Sequence, residues 1–195
     1  MIYMLNLAYP IENKAIINGI EYELDMSFDN ILRLFDLLED KSLNDIEKVE
    51  TGLLMLIDNK LDDYDIQDKA KIFIEIFKSA IGAEKEEQPV DLEGNPMPVA
   101  SQENKKVYDL AQDAEYIYAS FMSDYNIDLF EVQGKLHWHK FKALLNGLTD
   151  KSKFMRVVDI RQAEMPKGKG MQKEREQLRK LQEHYALKVD DEDET

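Results

Sequence analysis

Apolar residues recur along the chain at two spacings, and the spacings sort it into elements. In the stretch AIINGIEYEL, Tyr22 and Leu24 alternate with Glu21 and Glu23, the period of a half-buried strand. Asn18-Gly19 lies just before them. A type I′ turn needs positive φ at both central positions, so this pair predicts a tight β-hairpin. An isolated hairpin is marginal in water and must pack on something else. From residue 27 onward the spacing changes to threes and fours, the period of an amphipathic helix. Ser27 or Asp29 is placed to cap a helix to about Leu38, with Ile31, Leu34, Phe35 and Leu38 on one face. Asn44 or Asp45 begins a second, through Val49, Leu53, Leu56 and Ile57. Asp65 begins a third, with Ala70, Phe73, Ile74, Phe77 and Ile81 expected inside and Gly82 closing it as a C-cap.

The pattern then breaks. Residues 83–104 hold three of the five prolines and a charged cluster, and they read as a mobile surface loop. Helical spacing resumes in residues 108–148. Leu110, Ala114, Ile117, Phe121 and Tyr125 form one stripe, and Trp138, Phe141, Leu145 and Leu148 form another. Asn126 suits a left-handed C-cap between them, and Asp128 is placed to cap the second helix, so a helical hairpin with an aromatic seam is expected. Thr149 or Asp150 caps a short helix with Phe154, Val157, Val158 and Arg161 recurring. Pro166, Gly168 and Gly170 stop it, and a last helix carries Leu178, Leu181 and Tyr185 on a narrow stripe. The fold class predicted is mainly α, with six to seven helices and a small N-terminal β-hairpin. The organisation predicted is one helical domain over 1–187, made of a first half 1–82, the loop 83–104 and a second half 105–187. A disordered acidic tail is expected at 188–195. No internal repeat is visible.

Composition narrows the function more than the fold. The chain has no cysteine, which excludes disulfides and thiol chemistry, and no apolar run reaches the length of a membrane span. The start lacks the basic flank of a signal peptide. The net charge of −15 is uneven. Residues 1–150 carry 14 Lys+Arg against 30 Asp+Glu, whereas residues 151–188 carry 11 against 5. An acidic body repels phosphate backbones, so nucleic acid is not the expected partner.

Each candidate motif has a plainer reading. If His137 and His139 share a helix they point about 200° apart and cannot hold one metal ion together. Counted as a calcium loop from Asp63, the acidic run places Asp68 where glycine is needed and Ile74 where glutamate is needed. Pro166-Lys167-Gly168-Lys169-Gly170 lacks the phosphate-loop pattern. Arg161 ends an apolar face and calls for a carboxylate, with Asp109, Asp113, Asp124 and Asp128 as candidates. No catalytic, cofactor-binding or metal-ligating residue is assigned, and no enzyme is expected.

Four ordered segments carry a resemblance: YDLAQDAEYIYASFMSDYNIDLF, LHWHKFKALLNGL, VVDIRQAEMPKGKG and YALKV. With the opening INGIEYELDMSFDNILRLFDLLED they resemble the phage family named after gene product fifteen, of siphophages and prophages of Gram-positive bacteria. One departure is His139, where a second aromatic after Trp138 is expected. The resemblance implies a tail-assembly chaperone in the cytoplasm of the infected host, absent from the finished virion. Such a protein keeps the helical tape-measure protein soluble, helps recruit tail-tube subunits and is able to associate with itself. It supplies no catalytic residue. Candidate partner-binding residues are Trp138, Phe141, Arg161, Lys167, Lys169, Leu178, Leu181 and Tyr185. A minor connector protein of the virion tail, or an acidic protein aimed at a host regulator, remain as alternatives.

Overall fold

Positive φ at Asn18 and Gly19 turns β1 (Lys14–Ile17) back onto β2 (Ile20–Glu23), as the sequence predicts. The strands pair antiparallel in the register Lys14↔Glu23 to Ile17↔Ile20. The computed structural model describes residues 7–59, 61–82 and 107–188. The loop expected at 83–104 and nearly all of the acidic tail lie outside them. Among the described residues the hairpin is followed by seven α-helices: α1 (Phe28–Glu39), α2 (Asp45–Ile57), α3 (Ile66–Ile76), α4 (Ala114–Tyr125), α5 (Trp138–Asn146), α6 (Lys153–Gln162) and α7 (Gln172–His184).

Local chemistry sets most of the boundaries. Asn44 and Glu47 form a reciprocal capping box on α2, and Asp65 accepts the Asp68 N–H at the start of α3. Asn126 takes the left-handed conformation and ends α4. Ser27 precedes α1 as expected, but its hydroxyl donates to Asp25 and does not cap the helix. Ser152, not Thr149 or Asp150, caps α6 by accepting the Met155 N–H. Thr149 instead bonds the Asp124 carboxylate through both its N–H and its hydroxyl, and the contacts of Thr149 and Ser123 hold Asp124 below the usual carboxylate range. Asp128 caps no helix; its carboxylate accepts from the Tyr118 hydroxyl.

Two expectations about α3 fail. The chain widens into a π-helical turn over Phe77–Gly82. Gly82 therefore belongs to that turn and is not a left-handed cap. The buried face of α3 runs through Phe73 and Ile76, which leaves Ile74 47% exposed. Gly52 lets α3 approach α2: a Cβ there would lie 2.6 Å from the Phe73 ring.

The chain forms two compact units, each assembled from two stretches. The first is Met1–Glu87 with Phe130–Leu144, and the second is Gln88–Leu129 with Leu145–Thr195. In the first, α1 packs on α2 and α2 on α3. The stretch before α5 closes this unit: Phe28 N–H donates to Leu136, Trp138 N–H donates to Met26, and Asp29 accepts the Gly134 N–H. In the second, α4 packs on α6, and α6 on α7. The Ser120 hydroxyl, fully buried, joins α4 to α6 by accepting the Phe154 N–H at 2.9 Å and donating to the Tyr116 carbonyl. The helical hairpin expected over 108–148 is thus shared out: α4 belongs to the second unit and most of α5 to the first. The intervening residues 127–137 lie outside any helix and include a turn closed by the Lys135 N–H on the Val132 carbonyl.

Candidate partner-binding surfaces

In the first unit the sequence singled out Trp138 and Phe141. Both point inward, 4% and 2% exposed. Phe141 stacks on Phe28 with ring centroids 5.0 Å apart, and Trp138 stacks on Phe141 and meets the edge of Phe35. The Lys142 ammonium lies 5.5 Å from the Trp138 ring centroid. The indole Nε1–H is buried with no acceptor among the described residues. These aromatics form the core beneath α1 and present no surface to a partner.

His137 stands one residue before α5, so the helical geometry expected for the His137/His139 pair does not apply. The two rings stack, 5.2 Å apart. Nδ1 of His137 accepts the His139 N–H at 3.0 Å and caps the helix. The other ring nitrogen must then carry the proton, and it donates to Asn13 at 2.8 Å. Burial, helped by His139 and Lys140, pushes the His137 pKa down to about 4. Burial and Lys142 lower His139 as well. With both nitrogens of His137 engaged, the ring is a cap and not a ligand. Among the described residues no group of three or more His, Cys, Asp or Glu side chains is placed to hold a metal ion.

This cap has a pH signature. Because the folded value lies below the ordinary 6.5, the unfolded chain binds the proton first as pH falls. The contribution of His137 is complete above pH 6.5 and is lost as the pH drops to about 4. At about 1.4 kcal/mol per pH unit, reduced for partial solvent screening, the loss is about 2 kcal/mol. Urea midpoints at pH 7 and 4.5 should show it, and His137→Asn, a cap that does not titrate, should flatten the slope. An unchanged slope in that variant would remove His137 as the cause.

In the second unit Arg161 finds its carboxylate, and of the four candidate aspartates it is Asp113. The guanidinium holds both Asp113 oxygens, at 2.6 and 2.7 Å. It also donates to the carbonyls of Val107 and Tyr185. Asp113 is only 1% exposed, so this pair is internal. Tyr185 is held on its other side: Lys153 donates to its hydroxyl at 2.7 Å and lies over its ring and that of Tyr116. Of the remaining sequence candidates, Lys167 is exposed beside Glu164, Lys169 is exposed, Leu178 is half-buried and Leu181 is 43% exposed. These four, on the turn and on α7, are the ones a partner can reach.

Sequence spacing did not single out a groove of about 1040 Å³ in the first unit, between β1 and α3. Ile17, Leu24, Ile72 and Ile76 contribute apolar surface, and the ion pairs Lys14–Glu21 and Lys71–Asp68 lie along it. Ile16, also on this groove, is exposed. The signal available in the sequence was the run of isoleucines on either side of the hairpin turn, more apolar surface than a two-stranded sheet can cover.

A family model described as Bacteriophage Gp15 protein matches residues 11–187, spanning both units. No curated protein and no solved structure matches the chain.

Proposed function

Because the chain belongs to the bacteriophage Gp15 family, we propose that it is a tail-assembly chaperone acting in the cytoplasm of the infected host. It binds the tape-measure protein, keeps that long helical client soluble, and helps recruit tail-tube subunits before leaving the assembly. The family match over nearly the whole chain carries this reading. Three physical features support it. A net charge of −15 keeps a complex with an apolar client in solution. The groove between β1 and α3 pairs apolar walls with charges of both signs, which suits the apolar face and charged flanks of an amphipathic helix. Lys167, Lys169 and Leu181 offer small, largely polar contacts of the kind that release a client. Among the described residues no helix is long and apolar enough to cross a membrane.

Mass spectrometry separates the readings. The chain should be present in infected-cell lysate, co-purifying with the tape-measure protein, and missing from purified particles. Stoichiometric recovery from particles would overturn the proposal in favour of a minor tail component. Co-purification with a host enzyme alone would point to a host-directed protein.

A further inference from the structure

We propose that α7 with the Tyr185–Lys188 segment after it is an exchangeable arm, and that its seat on α4 and α6 also takes the same segment from a second copy of the chain. The seat is specific. Gln182 donates to the carbonyls of Ile160 and Ala163, at 3.0 and 2.9 Å, at the end of α6. Tyr185 accepts from Arg161 at its carbonyl and from Lys153 at its hydroxyl, and its ring meets the edge of Tyr116. Lys188 exchanges two bonds with the Gln112 side chain, main-chain N–H to Oε1 and Nε2 to main-chain carbonyl. Gln182, Tyr185 and Lys188 are spaced by three, so the seat reads a short sequence pattern at one end of the arm.

The rest of the arm is lightly held. No residue of α7 is buried, and Leu181 on its apolar stripe is 43% exposed. Undocking therefore uncovers little core, and segments of that kind open at a small fraction of the global unfolding free energy. The helix carries its own support in the i,i+4 pairs Glu176–Lys180 and Arg179–Glu183, which favour it whether docked or not. Between Gln162 and Gln172 the linker contains Pro166, and Gly168 and Gly170 at positive φ. Nine extended residues reach about 30 Å, enough to place the arm on a neighbour. A second copy satisfies every bond of the seat with identical groups. The closed and exchanged forms then differ mainly in effective concentration, and exchange is favoured wherever copies are crowded together. This goes beyond client binding, and its test uses the chain alone.

The chain has no cysteine, so single thiols can be placed at will. Gln112 and Lys188 are both exposed, and Gln112→Cys and Lys188→Cys leave the Arg161, Lys153 and Gln182 anchors in place. Full-length chains carrying one substitution each are mixed at high concentration and treated with a short bis-maleimide. A chain carrying both serves as the intramolecular control. The expected result is a cross-linked heterodimer whose yield rises with concentration and falls several-fold when Tyr185→Ala is added to the Lys188→Cys chain. A yield no higher than that of the Tyr185→Ala mixture, with the control cross-linking within one chain, would overturn the exchange.

Discussion

Arg161→Ala should unfold the second unit at a much lower temperature, because it leaves a buried carboxylate without its countercharge. Asp113 is almost wholly enclosed, and both its oxygens lie on the Arg161 guanidinium. Removing one partner of a buried ion pair typically destabilises by about 3–5 kcal/mol, far more than the pair contributes over an apolar replacement of similar shape. The substitution also frees the carbonyls of Val107 and Tyr185, so the entry to α4 and the end of α7 loosen together. For a chain of this size the melting temperature should fall on the order of 10 °C, followed by far-UV circular dichroism. Arg161→Lys keeps the charge but not the planar fork, and should land between wild type and alanine. Arg161→Met combined with Asp113→Leu removes both charges at once and should recover most of the loss. If Arg161→Ala weakens the chain no more than Arg156→Ala, an exposed site on the same helix, the ion pair is not holding the unit together.

The second large effect is at Trp138. Its ring is wedged between Phe35 and Phe141 beneath α1, and Trp138→Ala leaves a cavity that costs about 3–5 kcal/mol. The indole N–H complicates the comparison in a useful way. A buried donor without an acceptor is a standing penalty of about 1–3 kcal/mol. Trp138→Phe removes that donor while keeping an aromatic ring, and its loss should be less than half that of alanine. Since Trp138 is the only tryptophan, unfolding has to be followed by circular dichroism and not by indole fluorescence. Equal losses in the two variants would mean that the N–H is satisfied.

Much of the fold was readable because short-range chemistry decides it. Asn18-Gly19, Asn44 (one of the two caps the sequence offered), Asp65 and Asn126 each act within four residues, and each begins or ends its element where the sequence placed it. Misreadings begin where a distant partner decides. Thr149 turns to Asp124, 25 residues away, and leaves the cap of α6 to Ser152; Ser27 is the exception, its hydroxyl taken by Asp25 only two residues back. His137 escapes the helix because Asn13 and Met26 hold the chain around it. Asp113 could not be told from Asp109, Asp124 or Asp128, since only packing brings it to Arg161. For the same reason the division into two units, which separates α4 from most of α5, left no mark in the aromatic pattern.

The candidate surface was legible in part. Helical spacing is the same for an aromatic that fills a core and one that lines a groove, so Trp138 and Phe141 could not be assigned to either from sequence. Lys167, Lys169 and Leu181 are exposed, as a polar turn and a narrow apolar stripe imply. The clamp of Lys153, Tyr116 and Tyr185 was not legible, because its members come from three helical segments. The β1–α3 groove escaped for the same reason.

Client binding is the centre of the proposed function, and co-expression tests it directly. The tape-measure protein of the same phage is produced with and without this chain, and its soluble fraction is measured and passed over a sizing column. The client is expected to be insoluble alone, to become soluble with the chain, and to co-elute with it. A client that stays insoluble while the chain elutes by itself would rule out tape-measure binding by this chain.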